Sequence, residues 1–155
     1  MHVYGETQII PEYAFEPHKA SGNQMFRIDK YDGVVNRNLS DFLVPHRKGY
    51  YFMAFVKKGS SRHWIDMNPY VLKPNTFYFT IPHQVHVKEE ATPITGVILN
   101  FTHDFLASDN EGVLKDLPII RNPYNGQEIF LNTQDLHFVE DILERILMEY
   151  NSKAP

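Results

Sequence analysis

Two stretches decide how this chain folds: VPHRKGYYFMAFVKKG, Val44 to Gly59, and KPNTFYFTIPHQVH, Lys73 to His86. The first opens on a histidine, runs through aromatic and apolar residues, and ends at Lys-Lys-Gly. The second closes on a histidine. Side chains along an extended strand alternate between two faces. Two strand-like runs, each with a histidine at one end, predict a site inside a rolled β-sheet.

Working outward, YYFMAFVKK reads as a strand, Gly59-Ser60-Ser61 as a turn and RHWIDM as a strand. Asn68-Pro69 reads as a breaker, YVLK as a short strand, Pro74-Asn75 as a breaker and TFYFTI as a strand. VHVKEE and the apolar ITGVILNF, Ile94 to Phe101, extend the series, and Gln24 to Tyr31 supplies an earlier strand. His18 to Asn23 and Asp32 to Asn38 read as turns. Many short strands punctuated by Pro, Gly and Asn predict a mainly β sandwich or barrel. After Phe101 the pattern changes. THDFLAS predicts a helical turn capped by Thr102, EGVLKDLP another short helix, and QEIFLN a late strand returning to the sheet. From Asn132 the period is helical: Val139, Ile142, Leu143, Ile146, Leu147 and Tyr150 form one apolar stripe, capped by Asn132 or Thr133.

The bulk numbers set bounds. A chain of 155 residues suits one domain, with 43% hydrophobic, 22% charged and 14% aromatic residues. A net charge of -4 argues against this chain gripping nucleic acid by a footprint of its own. The absence of cysteine excludes disulfides, zinc–thiolate sites and thiol nucleophiles. With no signal-peptide pattern and no apolar run of membrane-spanning length, the expected location is cytoplasmic, with no membrane partner. Asn100-Phe101-Thr102 matches a glycosylation pattern, which a cytoplasmic chain does not use.

The histidines allow several chemistries. A His-x-His pair on a strand aims two imidazoles at one metal, but here the second position is Lys48, a poor ligand. No carboxylate follows at positions 50, 52 or 54. No metal and no cofactor are therefore expected. His46 and Lys48 as a proton-transfer pair would suit an isomerase or epimerase. Equally, they would bind an anionic or hydroxylated ligand. The blander alternative is a histidine satisfied by a backbone carbonyl at a barrel mouth, which applies still more to His63 and His83. Aromatic residues of these strands make either a core or the walls of a small-molecule pocket.

Taken together, PHRKGYYFMAFVKKGSSRHWID, YVLKPNTFYFTIPHQVH and GVILNFTHDFL resemble the cupin-type sensor domain of AraC-family transcription regulators. The resemblance covers roughly Lys30 to Leu106. It implies a cupin-type double-stranded β-helix, or jelly-roll barrel, with a C-terminal amphipathic helix. The family's second metal histidine is Lys48 here, its acidic position is Phe52, and its Gly-Asp turn is Asn75-Thr76. Only His46 and His86 stand at metal-ligand positions, so the barrel carries over and the metal does not.

The division expected is an N-terminal arm over 1–23, a sensor barrel over 24–131, and a dimerisation-type helix over 132–155, with the DNA-binding half expected after 155. The function implied is that of a non-catalytic domain sensing a small-molecule effector, such as a sugar or another metabolite, and forming a homodimer through its last helix. DNA is contacted only through the helix-turn-helix half. The ligand would touch His46, Lys48, Tyr50, Phe52, Trp64, Tyr78 and His86. The alternative is a free-standing cupin enzyme, such as a sugar isomerase or epimerase.

Overall fold

The computed structural model describes residues 10–17, 22–31, 44–121 and 128–152, without the side chains of residues 90 and 91. The turns expected at 32–38 and over most of 18–23 lie outside that range. The strands are β1 (Glu12–Tyr13), β2 (Phe26–Tyr31), β3 (His46–Lys48), β4 (Tyr51–Ile65), β5 (Asn68–Leu72), β6 (Thr76–Thr80), β7 (Val85–Phe101) and β8 (Glu128–Phe130). The helices are α1 (His103–Ala107), α2 (Pro118–Arg121) and α3 (Thr133–Ser152), with a 3-10 turn at Leu114–Asp116. The fold is mainly β, one rolled mixed sheet with a C-terminal helix, as the strand pattern predicted. Its path runs β1-β3-β7-β4-β6-β8, with β2 on β7 and β5 on β4.

One expected break is absent. Gly59-Ser60-Ser61 is not a turn: β4 runs through it, and β7 likewise runs unbroken past Thr92-Pro93. Between Val56 and Ser61 the β4–β7 register slips at three successive steps. Gly59 sits there at φ 89°, and a Cβ on it would stand 2.1 Å from the Pro93 carbonyl oxygen. The glycine thus makes an irregular bend inside a strand, the other use of its freedom. Gly96 has the same closeness, with Phe55 O at 1.8 Å from a Cβ position, so β4 and β7 could not pair there around a side chain.

The Asn68-Pro69 break is also displaced. The chain reverses at Asp66 and Met67, both at positive φ (47° and 70°), as in a type I′ hairpin turn. Asp66 stabilises the reversal: its backbone N–H donates to Val85 O at 2.9 Å, and its Oδ1 accepts from the Val85 N–H at 2.9 Å. Pro69 follows inside β5, whose outer side is not paired among the described strands.

One face of the sheet carries the ordinary core. Ile28, Phe55 and Leu99 pack with Leu131 and with Leu143, Leu147 and Tyr150 of α3. Tyr51, Phe79 and Phe101 pack with Leu106 of α1. Each fully buried aliphatic contributes about 1.5–3 kcal/mol. The expected caps form: Phe105 N–H donates to Thr102 Oγ1 at 3.2 Å, and Asp135 N–H to Asn132 Oδ1 at 2.8 Å. The α3 stripe is buried only in part. Ile142, expected within it, is exposed, as are Phe138 and Met148.

Candidate functional site

The opposite face of the same strands holds the site. Residues paired across a ladder share a face, so the register lays out three rows. Arg27, Asn100, Phe52 and Thr80 form one; Asp29, Ile98, Ala54 and Tyr78 form the next; Tyr31, Gly96, Val56 and Thr76 form the third. Beyond the bend the rows are His46–His86–Ile65–Asn68, then Lys88–His63–Tyr70. Val56, Tyr78 and Ile94 pack with Ile65 and Leu72 in one cluster, so both halves of β4 face the same interior. The sheet has rolled over on itself, with an apolar floor and a polar end.

At the polar end the two flagged histidines meet. His46 and His86 pair directly, with rings stacked at 5.6 Å between centroids, and Tyr13 of β1 adds a ring 5.6 Å from His46. His86 is 1% exposed, and neither ring nitrogen has a hydrogen-bond partner among the described residues. Its burial, followed by the charges of Lys48 and His46, pushes its pKa down to about 2, so the imidazole is neutral. Thr80 Oγ1 and Asn100 Oδ1, in the row nearby, are likewise buried and unpartnered. Lys48 Nζ lies 4.3 Å above the centre of the Phe52 ring in that row.

His63 is the satisfied histidine. Its Nε2 is 2.8 Å from Ser61 Oγ, and its Nδ1 is 3.2 Å from the Tyr78 hydroxyl. Burial first, then Lys88, Lys48, His86 and His46, hold its pKa well below the ordinary value. Burial likewise raises Tyr78 well above its ordinary range, keeping the phenol protonated. His83 is exposed at φ 73°, with Nδ1 2.5 Å from Glu12 Oε1.

Of the seven residues singled out in the sequence, His46, Lys48, Phe52, Tyr78 and His86 share this interior face. Tyr50 packs edge-on against Phe15 of the N-terminal segment, at 6.1 Å. Trp64 stands apart: it pairs with Val87 and Pro69 on the outer face, beside the Arg62 guanidinium at 5.6 Å. The bend between Val56 and Ser61 shifts the parity of β4, so even positions face inward before it and odd ones after it. Asn100, Thr80, Lys88 and Arg27 belong to the site and were not singled out. Alternation with Phe52 and His86 along their ladders is the signal that finds them. Among the described residues no three His, Cys, Asp or Glu side chains are grouped as a metal would need.

Two grooves lie away from the histidines. One, of about 420 Å³, runs between α3 and the sheet past Lys30, Phe55, Val97 and Leu143. The other, of about 420 Å³, opens between β5 and β8, past Tyr70, Thr76 and Glu128. The orphaned polar atoms at the histidine end single that end out, and groove size does not.

No family model and no curated protein matches this sequence. Among solved structures, that of apo ToxT from Vibrio cholerae is similar at a TM-score of 0.44 and 16% identity, covering 79% of this chain and 48% of that one. The chain thus spans about half the length of that structure, and at those values the likeness carries no argument about the site. No described helix is long and apolar enough to cross a membrane, which leaves strands unaddressed.

Proposed function

We propose that this chain is the small-molecule-sensing and dimerisation domain of an AraC-like transcription regulator, acting on a helix-turn-helix half outside this sequence. The observation that carries the reading is the interior face. Phe52, Ala54, Ile98 and Asn100, at the centre of the sheet, are half-buried, beside the fully buried Val56, Tyr78 and Thr80 of the same face. Beside them stand buried polar atoms without partners: both nitrogens of His86, Thr80 Oγ1 and Asn100 Oδ1. Leaving such groups unmade costs about 1–3 kcal/mol each, and a ligand supplying the missing partners removes that cost. The apolar floor beneath and the few polar groups above have the character of a small-molecule pocket. The motifs around His46 and His86 supply the family resemblance, and the exposed Phe138, Ile142 and Met148 on α3 suit a homodimer contact.

The test is thermal denaturation of the chain against a metabolite library, with sedimentation to read its mass. A ligand at a hundred times its Kd stabilises by about 2.7 kcal/mol. The expected result is a saturable rise in Tm that Lys48→Gln abolishes, in a dimeric protein. A library without a hit, together with metal-dependent turnover that disappears in His46→Ala, would replace the sensor with an enzyme.

A further inference from the structure

The groove between β5 and β8 gathers groups that the histidine end does not use. The register sets Phe130 beside Thr76 and Glu128 beside Tyr78, so these two residues of β8 share the interior side at the open edge of the sheet. Tyr70 and Val71 of β5, with Lys73 just after it, form the facing wall. Thr76 is 3% exposed, and its Oγ1 has no hydrogen-bond partner among the described residues. Such a hydroxyl costs stability until a partner meets it. Two charged side chains line the groove among the described residues, Lys73 and Glu128, and no ion pair joins them. Lys73 Nζ lies instead 5.3 Å from the centre of the Phe130 ring. The six residues before β8, Asn122 to Gln127, carry no charge. Asp66, the other carboxylate bearing on Tyr70, is already held by the Val85 N–H at 2.9 Å and the Gln84 amide at 3.3 Å. Burial, then Glu128 and Asp66, raise the Tyr70 pKa, so that hydroxyl keeps its proton and can donate.

We propose that this groove binds a free α-amino acid with an apolar side chain, its ammonium towards Glu128, its carboxylate towards Lys73, and its side chain against Val71 and Phe130. The site is separate from the histidine end and does not rest on the sensor reading. One cation and one anion, unpaired with each other, call for a ligand that carries both signs at short range. An amine answers Glu128 and is repelled by Lys73. A carboxylic acid does the reverse. A neutral sugar answers neither charge and leaves the exposed Val71 and Phe130 uncovered. The hydroxyls of Tyr70 and Thr76 add hydrogen bonds to the polar end, and about 420 Å³ holds such a molecule.

The experiment is calorimetric titration of the chain with L-leucine and L-phenylalanine, against phenethylamine, 3-phenylpropanoate and D-glucose. At least one amino acid is expected to bind at least about tenfold more tightly than the three comparison compounds. Lys73→Gln and Glu128→Gln, both at exposed positions, are each expected to erase that margin with Tm retained. Thr76→Val is expected to raise the Tm of the free chain and to weaken amino-acid binding about fivefold. Lys57→Gln, an exposed lysine beside the α3 groove, leaves the affinity unchanged. The amine or the acid binding as well as the amino acids overturns the two-charge assignment. Failure of both amino acids to bind overturns the ligand class. Affinity lost in Lys48→Gln but kept in Lys73→Gln and Glu128→Gln moves the ligand to the histidine end, which overturns this site and leaves the sensor reading standing.

Discussion

Replacing His86 by phenylalanine separates the energetics of the interior from its ligand chemistry. The imidazole is 1% exposed, unpartnered at both nitrogens, and held neutral by burial with a pKa of about 2 against an ordinary 6.5. Because the folded value is depressed, the folded state refuses a proton that the unfolded chain accepts. The stability is therefore whole above about pH 6.5 and lost as pH falls below it, at about 1.4 kcal/mol per pH unit. By about pH 4.5 the loss from this residue is about 3 kcal/mol. Phenylalanine keeps a flat ring against His46, one ring atom larger than the imidazole, and removes two orphaned nitrogens. At about pH 7.5 the variant is expected to match or exceed the parent by about 1 kcal/mol. As pH falls its advantage grows by about that amount, and any relief of His63, whose pKa His86 helps hold down, adds to it, while the carboxylates act alike in both proteins and cancel. Urea denaturation of the two chains over this pH range reads the difference. Parallel stability curves, or a variant several kcal/mol weaker at neutral pH, would show that His86 is neither neutral nor orphaned.

Gly96→Ala is expected to cost at least about 3 kcal/mol or abolish folding, read by circular dichroism, because the new carbon meets the Phe55 carbonyl. Leu147→Ala, in the α3 contact with the sheet, is expected to cost about 2–5 kcal/mol in chemical denaturation. Asn132→Ala, which removes the cap on the Asp135 N–H, is expected to cost about 1 kcal/mol by the same measurement. Tyr78→Phe leaves His63 Nδ1 without its hydroxyl partner and is expected to cost about 1–3 kcal/mol.

The sequence made the existence of the strands legible because Phe52 to Phe55 and Phe77 to Phe79 alternate or mass as sheet residues do. The α3 stripe was legible because its period admits one buried side, although Ile142 escaped burial at the stripe's margin. What could not be read was where the strands bend. Gly-Ser-Ser carries turn chemistry whether it ends a strand or slips its register, and only the partner strand decides. That single ambiguity misplaced Trp64: counted straight from Phe52 it shares the inner face, and after the slip it does not. Asp66-Met67 hid its turn for another reason, since methionine seldom takes a positive φ. The histidines at the two ends were legible as a pair. Asn100, Thr80 and Lys88 were not, because their role depends on register and not on residue type alone.

The long strands β4 and β7 have a further consequence. Phe52 and Asn100 point to one side of a partition wall, and Met53 and Leu99 to the other, where α3 leans on Leu99. The wall is a single backbone thick. A group against Asn100 and the helix against Leu99 are therefore neighbours along one strand, separated by that backbone and the Leu99 side chain.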